Sequence, residues 1–172
     1  MAKSDSFFIR ASCDIGNNSS TEWNQTTIDL GAYVDALGKS VLRIHNIAVS
    51  FTDAGGASAT LVASKPAAAQ FQLSTQSQTA LVLPTNKGII ASGMLNAFNE
   101  LSSVDVAAVV TESFDNLPQL WTNGYLIAVD QMYLSGEASP GFHEAVTVSV
   151  VMECTVETMS QASAMALALS QQ

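Results

Sequence analysis

Charge is scarce in this sequence, and basic charge scarcest of all. Only 12% of the residues are Asp, Glu, Lys or Arg, about half the share usual in a soluble domain. Six Lys and Arg stand against fifteen Asp and Glu, a net charge of −9. Such a chain repels phosphate backbones, so direct nucleic-acid binding is not expected. The six basic residues also argue against direct docking on an anionic membrane. Cysteine is almost absent: Cys13 and Cys154 are too few for a disulfide framework, and neither has a CxxC neighbour. Both fall on apolar rows and read as buried free thiols.

Long hydrophobic runs are missing too. The opening MAKSDSFFIRAS carries no signal-peptide core, and no segment reaches the roughly 18 apolar residues of a membrane helix. The chain is expected to be intracellular when made. The sequons headed by Asn17, Asn18 and Asn24 then mark only a polar loop. His45 and His143 lie outside metal-ligand spacing of each other and of the cysteines, so no zinc site is expected. There is no GxSxG elbow, and Gly55-Gly56 lacks the following Lys of a phosphate loop. Glu153 and Glu157, four strand positions apart, would stand roughly 13 Å from each other, too far for a glycosidase pair. They read as a solvated or interface row. Asp53, Asp115, Asp130, Glu137 and Glu144 are loop or strand-end carboxylates open to calcium, yet no DxDxDG-type loop arranges them. No nucleophile, general base, metal or cofactor emerges, and the expectation is a protein that is not an enzyme.

What the sequence does contain is alternation. From Ala145 to Glu157, Val146, Val148, Val150, Met152, Cys154 and Val156 share one face, and Thr147, Ser149, Glu153, Thr155 and Glu157 share the other. A period of two marks a half-buried strand, here on the order of 40 Å long. A lone edge of that length is sticky, so it needs a long partner. Residues 6–15 offer one, with Phe7, Ile9, Ala11, Cys13 and Ile15 alternating against polar neighbours.

Between these two strands the pattern is less even. Gly16–Asn24 reads as a polar loop ending at Trp23, an interface anchor or a lid on the core. Thr26–Leu30 reads as a short strand and Asp35–Lys39 as a turn. In Val41–Asp53, Leu42 and Ile44 have one parity and Ile47, Val49 and Phe51 the other, which predicts a β-bulge near His45 and Asn46. His45 is then a bulge residue and not a ligand. Leu61, Val62, Phe71, Leu73, Leu81 and Leu83 mark further short strands. Ile90, Met94, Ala97, Phe98 and Leu101 are spaced for one face of a helix. Val104–Val110 alternates again, the loop ESFDNLPQLWTNG follows, and Asn123-Gly124 signals a turn. Tyr125–Leu134, apolar on both faces, reads as a central strand, and Ser135–Gly141 as a loop.

The expected fold is therefore all-β: a single jelly-roll β-sandwich of about eight strands over residues 1–158, with one short inserted helix and a C-terminal arm over residues 159–172. In that topology the first and last strands lie side by side. The tail TMSQASAMALALSQQ reads as an Ala-rich helix with a stripe of Ala162, Met165, Ala166 and Leu169. It serves either as a contact arm or as a helix capping its own domain.

Three stretches, TTIDLGAYVDALGKSVLRIHNIAVSFTD, GYLIAVDQMYLSGEA and VTVSVVMECTVETMSQASAMALALSQQ, resemble the single-jelly-roll major capsid proteins of tailless, membrane-containing icosahedral DNA viruses of archaea and bacteria. The resemblance implies a structural subunit that self-assembles into an icosahedral shell of upright barrels, commonly over an internal membrane. It implies copies of itself as partners, with a second capsid protein as a further candidate, and a virion location after synthesis in the host cytoplasm. The expected contact residues are Trp23, Leu117, Leu120, Trp121, Met159, Met165, Leu167 and Leu169. Two other readings fit a β-rich, charge-poor chain. One is a tail-tube or sheath subunit; the other is a carbohydrate-binding module using Trp23, Trp121, Tyr33, Tyr125 or Tyr133.

Overall fold

A computed structural model describes residues 4–16, 22–35, 39–106, 109–114 and 117–172. Among these described residues nine strands follow in order: β1 Phe7–Asp14, β2 Glu22–Asp29, β3 Ser40–Thr52, β4 Pro66–Ser74, β5 Ile89–Phe98, β6 Val109–Ser113, β7 Tyr125–Ile127, β8 Gln131–Ala138 and β9 Thr147–Thr158. Pro118–Leu120 forms a 3-10 turn and Gln161–Ser170 the helix α1. The pairing is nested and antiparallel: β1 with β9, β2 with β8, β3 with β7, β4 with β5. One long ribbon has thus folded at its middle and rolled up. Rolling brings β9 against β3 and β8 against β4. The result is a four-stranded sheet, β1-β9-β3-β7, facing a five-stranded sheet, β2-β8-β4-β5-β6. Nested pairing rolled into two facing sheets is the jelly roll.

The long final strand behaves as its alternation requires. Val148, Val150, Met152 and Cys154 point between the sheets and are fully buried. β1 runs beside β9 in unbroken register from Phe7↔Cys154 to Asp14↔Thr147. The cysteines are six positions apart in that register, on the order of 20 Å, and both are buried free thiols. In β3 the register with β9 slips between Ile44 and Asn46, so His45 is the bulged residue. Leu42, Ile44 and Ile47 all reach the core because of it.

Several expectations are corrected. The helix read over Ile90–Leu101 is strand β5, with Leu95 and Ala97 buried and Met94, Phe98 and Leu101 exposed. The stripe mixes buried Ile90 and Ala97 with outward Met94 and Phe98, and Leu101 lies past the end of the strand, so its helical period is a coincidence of spacing. The single central strand read over Tyr125–Leu134 is two short strands in different sheets. The chain crosses over at Ala128–Asp130, where the Asp130 carbonyl accepts from the Leu30 amide. Residues 135–138, read as loop, belong to β8. Ser135 is fully buried and Gly136 lies where a Cβ would come 2.3 Å from the Gln70 carbonyl oxygen. That glycine serves close strand approach and not a turn. Leu81 and Leu83 lie outside any strand, and Trp23 sits in β2 opposite Glu137, not in a loop. The expected turn over residues 35–39 and the loop after Gly16 fall largely outside the described residues.

The tail is helical and docks on its own domain. Ser160 caps it, its Oγ accepting from the Ser163 amide at 3.2 Å. Ala164 and Ala168 are buried with Val41 and Ala128 in a second apolar cluster, joined by Leu126, Met159 and Leu167. The stripe of Ala162, Met165, Ala166 and Leu169 faces outward instead. Beyond the helix, the Gln171 carbonyl accepts from Thr75 Oγ1 at 2.8 Å, and the Gln172 carbonyl from Lys87 Nζ at 2.5 Å.

Candidate functional site

An open groove of about 710 Å³ lies on the outer face of the four-stranded sheet. Its floor comes from β3 and β9 and its wall from residues 119–124. The floor is an ion pair: Arg43 Nε reaches Glu157 Oε1 at 2.7 Å and Nη2 reaches Oε2 at 2.9 Å. The hydrogen bond to this carboxylate raises the guanidinium's pKa further, against a smaller opposing effect of burial. Arg43 Nη1 also donates to the Asn123 carbonyl. Beside them His45, turned outward by the bulge, meets Thr155 Oγ1 through Nε2 at 2.9 Å. The expected row of Glu153 and Glu157 lines the groove, with Glu157 buried and paired and Glu153 half-buried.

The wall is fixed from behind. Gly124 has φ +62°, and a Cβ there would come 2.2 Å from the Ile44 carbonyl oxygen. Only glycine lets the loop press onto the bulge. The Gln119 amide acts as a strand surrogate, accepting from the Ile47 amide and donating to its carbonyl, each at 3.0 Å. Trp121 packs on Tyr125 with ring centroids 5.9 Å apart. Burial pushes the Tyr125 phenol up, partly offset by a hydrogen bond from Gln171.

The expected contact residues are scattered. Leu120 and Leu169 are 62% and 68% exposed, and Trp121 and Met165 are also open. Leu117 is buried, and Met159 and, within α1, Leu167 pack against the cluster of Val41, Ala128, Ala164 and Ala168. Trp23 is half-buried, its Nε1 donating to the Gln78 carbonyl at 3.3 Å. The candidate sugar-binding aromatics form no row: Tyr33 stacks on Phe7 and Tyr133 bonds Gln131, and only Trp121 and Tyr125 meet. Sequence reasoning missed Met94 and Phe98, exposed on the outer face of β5, because their spacing suggested a buried helix face.

The carboxylates offered to calcium do not converge. Asp53 Oδ1 accepts from the Gly55 and Ala57 amides, both at 2.8 Å. Glu144 holds Thr60 and approaches His143 Nδ1 at 3.2 Å, while Asp105 approaches Nε2 at 3.2 Å. Asp115 lies outside the described residues. Among the described residues no three His, Cys, Asp or Glu side chains gather as metal ligands. The His143 cluster joins loops distant in sequence, which no local spacing could announce.

No protein-family model matches this chain, and no curated protein sequence does. Among solved structures, the VP1 protein of Trichodysplasia spinulosa-associated polyomavirus is similar with a TM-score of 0.48 at 6% identity, over 88% of this chain and 96% of that one. The unassembled VP1 pentamer of Merkel cell polyomavirus gives a TM-score of 0.41 at 7% identity, over 89% and 96%. Desmodium yellow mottle tymovirus gives a TM-score of 0.36 at 11% identity, over 90% and 87%. The jelly roll assigned to this chain rests on its own strand order and not on these distant likenesses.

Proposed function

We propose that this protein is a structural capsid subunit, one barrel among many in an icosahedral viral shell, with copies of itself as its principal partners. The observation that carries the reading is where apolar side chains are left exposed. Met94 and Phe98 stand on the outer face of the five-stranded sheet, Leu120 and Trp121 on the loop beside β7, and Met165 and Leu169 on the outward face of α1. A ligand-binding module concentrates such residues in one place. A subunit enclosed by neighbours needs them on several sides. Charged side chains are only 12% of the residues, so few must be desolvated when copies meet, while the net charge of −9 makes the contacts depend on salt. Many weak contacts repeated by symmetry then add to a stable shell. A virion location, upright barrels and a companion capsid protein belong to the same reading.

Negative-stain imaging of the purified, concentrated protein tests it. Closed particles of uniform diameter are the expected result. Open tubes would favour the tail-tube alternative, and a solution of monomers under all salt and pH conditions would overturn self-assembly.

A further inference from the structure

We propose that the groove over β3 and β9 is a binding site for an uncharged, hydroxyl-rich ligand, a neutral saccharide, with Trp121 as its stacking wall and Glu153 as its principal hydrogen-bond acceptor. The site is one of the unassembled subunit, since a neighbouring copy seated on the Leu120 and Trp121 patch would cover the groove. The volume, about 710 Å³, lies in the range of small-molecule sites.

The lining divides into two groups. Arg43, Glu157 and Gln119 are held by intramolecular partners and build the rigid floor and wall. Glu153, Asn46, Thr122, Asn123 and the Trp121 indole N–H line the same space, and among the described residues no hydrogen bond engages their side chains. They offer a carboxylate, two amides, a hydroxyl and an N–H, a mixture of donors and acceptors suited to sugar hydroxyls, each of which both donates and accepts. The Trp121 face, anchored on Tyr125 and 37% exposed, supplies the flat apolar surface that the C–H side of a pyranose covers.

Other ligand classes fit worse. Arg43, the one Lys or Arg that lines the groove among the described residues, is bound bidentately by Glu157, and the Glu153 carboxylate repels an incoming anion, so phosphate or an acidic sugar fits poorly. A metal lacks a three-ligand cluster among the described residues.

The chain contains two tryptophans, so Trp23→Phe leaves Trp121 as the sole indole and a direct reporter. Titrating that variant, at a concentration where it is unassembled, with neutral mono- and disaccharides is expected to give a saturable change in emission. Adding Glu153→Gln should weaken the response roughly tenfold, the value of a lost hydrogen bond to a charged acceptor. A glycan array read with the unsubstituted protein and with Trp121→Ala supplies a second readout that does not depend on the Trp23 change. Loss of neutral-glycan signal in Trp121→Ala supports the site. Unchanged emission across the panel, equal array signals for the two proteins, or binding confined to sialylated or sulfated sugars would overturn it.

Discussion

Cys13 and Cys154 are the plainest case of a residue reading carried through to energetics. Each lies on an apolar row, and burial raises the pKa of both thiols. Cys154 is pushed up to about 12, desolvation foremost and the neighbouring Glu153 carboxylate adding to it. The unfolded chain ionises its thiols near 8.5. Stability from these groups is therefore intact below that range. Above it the unfolded state sheds protons that the folded state keeps, and stability falls as pH rises, by up to about 1.4 kcal/mol per pH unit per thiol. Urea midpoints measured from pH 7 to 10.5 should decline, and Cys154→Val should flatten that decline. A wild-type and variant that fall in parallel would contradict the assigned burial. The burial was legible because alternation alone decides which face a strand residue occupies. The Arg43–Glu157 pair was not, since its members are 114 positions apart and only the rolled sheet joins them.

At the scale of elements, glutamine side chains repeatedly stand in for missing strands. Gln119 covers the β3 edge at Ile47. Gln171 covers the β7 edge, accepting from the Ala128 amide at 3.0 Å and donating to the Leu126 carbonyl at 2.6 Å. Gln72, fully buried in the central strand β4, holds the backbone of Val82 in the same two-point way, tying down a loop and not an edge. Bare edges invite pairing with other chains, and an amide that both donates and accepts closes them. Gln171→Ala should cost about 1–3 kcal/mol by leaving buried backbone groups unpaired. Thermal melting should shift down, and hydrogen exchange at the Ala128 amide should accelerate. Protection unchanged at that amide would mean the helix end does not hold β7. These caps explain why elements in the second half were misread. Tyr125–Leu134 is apolar on both faces because α1 covers Leu126 and Ala128 from outside, a partner that local patterning does not contain. The bulge in β3, by contrast, shifts the parity of its own neighbours and was visible directly.

For the molecule as a whole, length and stickiness called for a long partner to the last strand, the jelly-roll topology named the first strand as that partner, and their contact closes the roll. The remaining topology was not readable from periodicity, because strand order depends on which faces meet after folding. The exposed apolar positions follow the same division: Leu120 and Leu169 were anticipated from loop and tail composition, whereas Met94 and Phe98 became visible only once β5 was a strand. The central claim is that a rigid jelly roll meets its own copies through these separated patches. Sedimentation velocity across a concentration series, comparing the wild type with Phe98→Asp, Leu120→Asp and Leu169→Asp, tests it most directly. The wild type is expected to form large discrete species, and each substitution to lower their size or stability while far-UV circular dichroism and the melting temperature stay near wild type. A single slow monomer boundary for the wild type, or large species indifferent to all three changes, would contradict it.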